Sequence, residues 1–481
     1  MIHVDFKFMK NLSRLICSVA LASQLVCLNG HAAFNDILDG IRGTFFKLAK
    51  ENPAELVKFR LINKASQAAV EEAIAQAILD GATFNLSGKT FTDQQFITLF
   101  TGDGLFSKIT KLNLSNARFN HDLLSRLPIS LIHLELIGSW LNSEDAERLT
   151  HLTNLTFLGA EFDLTGKTFT DEQFIALFTG DGLFSKITKL NLSKTRFNHD
   201  LLSQLPVSLT YFELRNSDLF AEDAERLTHL TNLTSLDLTN NHICDQGAAA
   251  SIARMTGITS LNLSENHIRD DGAAEIANTM TGITSLNLSG NEIGPDGAAS
   301  IATMRGITSL NLNGNEIGPD GAAHIAKMRG ITSLNLSRTN IEKAGADSIA
   351  SMPNITSLDL SQNHIGDAGA TSIANMTGII SLDLSRNHIR DDGATYIANK
   401  MRKITSLNLS ANRILSAGAL HIATMPNITS LDLSYNKIGD GGAVHIAEMR
   451  GITSLDVREN NITAAAQAML RERLPNAQIR F

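Results

Sequence analysis

Histidines in this chain stand in pairs at a repeated spacing. His242 and His267 are separated by almost the same interval as His364 and His388, and as His421 and His445. Two imidazoles held side by side can share a metal ion or titrate together near neutral pH. A metal site needs more ligands than two, and pairs without a third ligand read as surface residues. The acidic pairs Asp270-Asp271 and Asp391-Asp392 offer carboxylates of the kind calcium takes, but without calcium-repeat spacing they read as helix-start residues. The glycine-rich run Gly439-Asp440-Gly441-Gly442 lacks the Lys-Ser/Thr of a phosphate loop and reads as a turn leading into a helix. No enzymatic motif turns up, so the expectation is a protein without catalysis, cofactor or metal.

The spacing of these pairs belongs to a larger unit that must position them. Read from Ile307 it is ITSLNLNGNEIGPDGAAHIAKMRG, and it restarts at Ile331, Ile355, Ile379, Ile404, Ile428 and Ile452. The same frame runs back through Ile283 and Ile258 to Leu233, giving ten units of nearly constant length. A fixed period of this kind marks a stacked solenoid, in which each unit buries its apolar face against its neighbours. Leu-x-Leu alternates with period two and reads as a short strand with one face inward. After it comes a ladder of Asn241, Asn266, Asn291, Asn315, Asn363, Asn387, Asn412, Asn436 and Asn460, interrupted only by Thr339. Buried after the strand, each amide can serve backbone groups of the adjacent unit. Asp271, Asp296, Asp320 and Asp392 read as N-caps or first-turn acids of a short helix whose Ile and Ala face inward. A Met column from Met255 to Met449 reads as core at the helix end.

The pattern Leu233-x-x-Leu236-x-Leu238-x-x-Asn241 resembles the leucine-rich repeat family. The stretch that follows it is similar to the ribonuclease-inhibitor-like subclass, and in particular to the GALA-type 24-residue repeats of bacterial effectors. The resemblance implies an α/β leucine-rich repeat solenoid, a horseshoe with its parallel β-sheet on the concave face and short helices on the convex face. It also implies a binding function rather than an enzymatic one.

Upstream, residues 84–232 read as divergent repeats. A segment beginning at Phe84 returns almost unchanged at Phe162, and each such block reads as three repeats. Residues 233–481 hold the ten regular repeats and a C-terminal cap. Met9-Lys10 opens a leader with basic Lys10 and Arg14, an apolar core from Leu15 to Leu28, and small Ala32 and Ala33, so 1–33 reads as a signal peptide and the protein as secreted or periplasmic. Its core is too short for a membrane span. Cys17 and Cys27 lie in that leader, which leaves Cys244 alone and excludes an internal disulfide. Residues 34–83 read as a helical N-terminal cap, started by Asn52-Pro53. Leu56 to Lys64 resembles half of an F-box, which keeps open a ubiquitin-ligase adaptor. Small-GTPase regulators with ribonuclease-inhibitor-like repeats supply a third reading.

The net charge of −8 gives no support to a nucleic-acid partner. The outward strand positions are nearly all Ser followed by Asn or Asp, so they carry little information about a ligand. Variation concentrates just after the strand, at Glu265, Arg338, Gln362, Arg386, Tyr435 and Glu459. Arg338, Arg386 and Tyr435 are the leading contact candidates, since Arg and Tyr anchor interfaces. The expected partner is a protein, including one from a eukaryotic host if the family resemblance extends to function. The expected state is a monomer.

Overall fold

The computed structural model describes residues 83–100, 107–149, 151–178, 187–243 and 246–481. The leader, almost all of the 34–83 segment and Cys244 lie outside the described residues. The chain divides into two compact units, residues 1–163 with 181–189, and residues 164–180 with 190–481.

In the first unit, strands Phe84–Asn85, Lys111–Asn113, His133–Leu141 and Phe157–Asp163 pair in parallel in chain order. Its core is aromatic: the buried Phe96 ring lies 4.6 Å from Phe100 and 5.0 Å from Phe119. Buried Glu161 accepts the Gly138 amide at 2.9 Å and forms an ion pair with Lys189. Helix Asp93–Phe100 has its sequence counterpart in the second unit, helix Asp171–Phe178, where Phe174 packs on Phe178 and Phe197.

In the second unit the repeat is visible residue by residue. From Ser235–Asp237 to Ser454–Asp456 each three-residue strand has Ser, Leu and Asn or Asp, and consecutive strands pair in parallel with like residues opposite, as Ser309↔Ser333, Leu310↔Leu334 and Asn311↔Asn335. The central Leu of each of these strands is buried and its Ser neighbour is not, because alternate side chains point to opposite faces; of the third residues, Asp237 and Asp456 are buried and the rest are not. A helix of seven to ten residues follows each strand from Gln246–Ala253 onward, and successive helices stack on each other as the strands do. Met255, Met280, Met304 and their equivalents through Met449 close the core at the helix ends, all buried. The helix approaches the core closely because Gly and Ala line its inner face. A Cβ on Gly369 would lie 2.5 Å from Ile365 Cγ2 and 3.3 Å from Ala346 Cβ of the preceding unit, so nothing larger than hydrogen fits.

The ladder side chains tie the units together. Asn363 is fully buried; its Oδ1 accepts the amides of Thr339 and Ile341 at 3.1 and 3.2 Å, both in the preceding unit. Its Nδ2 donates to Leu336 O of that unit at 2.6 Å and to its own Leu360 O at 3.1 Å. Asn387 repeats the pattern on Asn363 N and Leu360 O, at 2.9 and 2.8 Å. Thr339 cannot: its hydroxyl donates to Leu336 O within its own unit. In the units before and after, Ile293 N and Ile341 N reach an Asn Oδ1, whereas among the described residues Ile317 N has no such acceptor.

A second tie crosses the units at the helix starts. Asp270 Oδ1 accepts Gly294 N and Gly297 N at 2.7 and 2.9 Å, so it caps the helix of the following unit, not its own. Asp367 does the same for Arg390 N and Gly393 N, and Asp391 for Leu415 N and Gly418 N. Asp271, Asp296, Asp320 and Asp392 sit within the first turn, while the residues preceding those helices are Arg269, Gly294, Ile317 and Arg390. Of the two roles expected for these acids, the first-turn role is the one observed; for the helices of Asp296 and Asp392 the capping oxygen comes from the preceding unit. At the far end Asp440 caps Thr463, strand Gln478–Arg480 pairs with Ser454–Asp456, and Arg471 lies over the Phe481 ring at 4.5 Å. Among the described residues no helix is long and apolar enough to cross a membrane.

Asn363→Ala strands backbone groups in two units, and it is expected to lower stability by about 1–3 kcal/mol in urea denaturation, whereas exposed Ser357→Ala should cost less than about 0.5 kcal/mol. The converse applies at the break in the ladder. Thr339→Asn supplies an acceptor for Ile317 N and a donor toward the preceding unit, and should raise stability by about 0.5–1.5 kcal/mol. A loss of stability in that variant would show that the site has no room for the amide.

Candidate functional site

Where the strand ends, the third strand residue folds the chain over. Asn335 Oδ1 accepts Ser337 N at 2.9 Å, Asp359 Oδ1 accepts Ser361 N at 2.9 Å, and Asp383 Oδ1 accepts Ser385 N at 2.8 Å. This is an Asx turn, in which the side chain stands in for a backbone carbonyl. The outward Asn/Asp column is therefore committed to turn geometry.

The next residue along lies in the left-handed region at every unit. Glu265 has φ 56°, Arg338 54°, Gln362 58°, Arg386 54°, Tyr435 55° and Glu459 54°, with Asn240 and Ala411 alike and Gly290 and Gly314 completing the column. This conformation brings Cβ against the backbone and costs a bulky L-residue about 1 kcal/mol. Neighbouring rungs hold it in place, because Arg338 N donates to Ser361 O, Gln362 N to Ser385 O and Arg386 N to Ser410 O, at 2.9, 2.9 and 3.0 Å. The ladder residue that follows is buried, so the residues on both sides of it are exposed: Arg338 and Asn340 around Thr339, Gln362 and His364 around Asn363, Arg386 and His388 around Asn387.

These flanking residues make a groove. Arg338, Asn340, Gln362, His364, Arg386, His388 and Ala411 line a volume of about 460 Å³. Arg338, Gln362 and Arg386 contribute one side chain per rung on one row, and Asn340, His364 and His388 on the other. The His364 and His388 rings stack with centroids 5.3 Å apart and planes at 27°. Burial, then the charges of Arg413 and His364, holds the His388 imidazole below its ordinary pKa. Three of the candidate contacts thus meet in one place. Tyr435, 56% exposed, continues the column past small Ala411, and Glu265 and Glu459 lie farther along it; none of the three lines the groove.

His364 and His388 entered the sequence reading as an isolated pair, not as part of this site. The signal was available in the ladder: if its residue is buried, the positions on either side of it both face outward. The same spacing has a different outcome elsewhere. His242 stacks on Phe220 at 5.1 Å and lies 3.5 Å from Asp218, whereas His267 Nδ1 meets Glu292 at 3.1 Å. Among the described residues no group of three His, Cys, Asp or Glu is arranged to hold a metal ion.

The strand face forms a second groove of about 470 Å³, lined by the Ser and Asn/Asp columns from Ser333 to Asp432. Asp359 and Asp383 stand opposite each other there. Burial first, and the Asp359 carboxylate after it, pushes the Asp383 carboxyl above its usual range, against hydrogen bonds from Ser385 and Asn408.

Two family models described as Leucine rich repeat match the chain, one over residues 328–389 and 402–462, the other over 229–250, 256–277, 280–302 and 306–326. All the groove-lining residues but Ala411 fall within one stretch of the first, and Ala411 falls within its other stretch. A comparison with curated proteins finds no match. Among solved structures, the chain is similar to an internalin (inlF) from Listeria monocytogenes, with 22% identity and a TM-score of 0.49 over 70% of this chain and 88% of that one. It is also similar to an internalin C2 from the same organism, with 24% identity and a TM-score of 0.36 over 44% and 83% of the two chains.

The raised pKa of Asp383 carries a pH prediction. A carboxyl whose folded pKa lies above its unfolded value destabilises the folded state while ionised, and that penalty disappears as pH falls through the folded pKa. Asp383→Asn should therefore be more stable than the parent at neutral pH, with the difference shrinking toward zero in acid. Denaturation midpoints measured from neutral pH to below the ordinary carboxylate range test this, and a variant less stable at neutral pH contradicts it.

Proposed function

We propose that this leucine-rich repeat protein is a non-enzymatic scaffold that binds another protein along the loop edge centred on Arg338, Gln362 and Arg386. The observation that carries the reading is the backbone of that column. Gly290 and Gly314 are the residues its left-handed conformation favours, yet eight further positions hold side chains there at a cost. Folding alone gains nothing from an Arg or Tyr in that conformation. Side chains retained against backbone strain, exposed and in line on a rigid ladder, suit contact with a partner. Tyr435, Glu265 and Glu459 extend the same edge for a larger partner.

Export belongs to this reading. The basic start, short apolar core and small-residue site in 1–33 support a secreted or periplasmic protein. The GALA-type resemblance supports a bacterial source and a partner from a eukaryotic host. The scaffold acts as a monomer, each repeat serving its neighbours and the edge remaining open.

Glycine substitution separates binding from folding here. Arg338→Gly with Arg386→Gly removes both side chains and relieves about 1 kcal/mol of strain per site, offset by the greater freedom of glycine in the unfolded chain. The expected result is an unfolding midpoint unchanged or slightly higher, together with loss of the protein that the parent chain captures from a eukaryotic lysate. Capture that survives the double substitution, or no capture by the parent, overturns the proposal.

A further inference from the structure

We propose that the groove at Arg338, Gln362 and Arg386 is a carboxylate-binding site that takes an acidic segment of the protein partner. This rests on the reading that the edge binds protein, and it adds the chemistry of recognition.

The groove has no acidic residue among its lining side chains, in a chain with 49 Asp and Glu against 41 Lys and Arg. Some arginines of the same compact unit are matched with acids, as Arg226 with Asp223 at 3.1 Å, Arg269 with Glu292 at 2.9 Å and Arg458 with Asp456 at 2.7 Å. Others, such as Arg402 and Arg413, are not matched among the described residues, and what sets Arg338 and Arg386 apart is that both line one groove. Among the described residues, neither Arg338 nor Arg386 has an ion pair or a side-chain hydrogen bond. Asp359 and Asp383, which precede Gln362 and Arg386 in the same turns, are directed to the Ser361 and Ser385 amides.

Two unmatched guanidiniums in one groove, on rungs two apart, are separated by roughly 10 Å at about 4.8 Å per rung. Each presents a planar fork of donors that fits a carboxylate with two hydrogen bonds. Gln362 stands on the rung between them, and Asn340, His364 and His388 line the opposite row. Burial first, and the Arg413 charge after it, hold the His388 pKa down, and Arg413 adds to the positive local field. An acidic peptide supplies carboxylates in a row, whereas a nucleic acid would bring its whole charge against a protein of net charge −8.

The test uses the full chain, fluorescently labelled hexaglutamate as probe, hexaglutamine as the neutral control, and inorganic phosphate as the free anion. Hexaglutamate should bind at low ionic strength and hexaglutamine should not. Arg338→Gln and Arg386→Gln should each weaken binding about tenfold. Arg402→Gln, which removes the same charge from an exposed position outside the groove, should leave it unchanged. Absence of hexaglutamate binding, equal loss in all three variants, or binding of inorganic phosphate without the peptide overturns the inference. Should lysate capture depend on Arg338 and Arg386 while hexaglutamate fails to bind, the carboxylate assignment falls and the protein-binding reading stands. Hexaglutamate held in the groove with no protein captured gives the reverse.

Discussion

A buried side-chain amide shared between neighbouring units is the interaction on which the rest of the second compact unit depends. The Asn363 amide uses its oxygen on two backbone N–H groups of the unit before it, and its nitrogen on carbonyls of both units. A unit standing alone would bury those donors and acceptors unpaired, at a cost comparable to the net gain from its other hydrogen bonds. Stacking is therefore a condition of each unit's stability. The same amide sets the surface: because it points inward, its two chain neighbours point outward, and the ladder of buried amides creates two parallel rows of exposed side chains.

The other inter-unit ties have the same logic. Backbone groups that a short strand or helix leaves open are closed by the next copy. Thr308 Oγ1 donates to Thr284 O where the strand begins, and the Asp270, Asp367 and Asp391 carboxylates reach across to the N–H groups of the following helix. Helices of seven to ten residues are too short to persist alone in water. Each gains its packing surface from outside its own repeat, and those starting at Pro295, Asp391 and Ser416 gain first-turn acceptors from there too. Energy is spread evenly along such an array, and a local departure such as Thr339 weakens one junction without disturbing the register, since Ser309, Ser333 and Ser357 remain aligned through it.

Even distribution also leaves room for local expense. The column after the Asx turn is held left-handed by hydrogen bonds that do not depend on its side chains, so a non-glycine residue there costs about 1 kcal/mol and leaves the fold intact. Across 338–411 that freedom is used for two arginines, a glutamine and an alanine. Elsewhere the column carries Asn240, Glu265, Tyr435, Glu459 or glycine. The rigid part of the repeat and the variable part are thus adjacent in sequence, and the rigid part places the variable part to within the spacing of one strand.

Periodicity alone determined much of this protein. The repeating frame specified strand, buried ladder and methionine core, because side chains that recur at one period must recur in one environment. The post-strand column was visible too, as the place where Arg338, Gln362, Arg386 and Tyr435 differ while their neighbours do not. Tertiary structure alone decided which of these residues meet. His364 and His388 stand one repeat apart and share a groove; His242 and His267, at nearly the same spacing in the same column, go separately to Phe220 and Glu292. The sign of φ at Arg386 and the cap that Asp367 gives to Gly393 likewise have no local signature, since both are imposed by the neighbouring unit. A repeat states what each residue is within its own unit. Charge pairing, backbone strain and groove formation arise between units, where residues distant in sequence come within hydrogen-bonding distance.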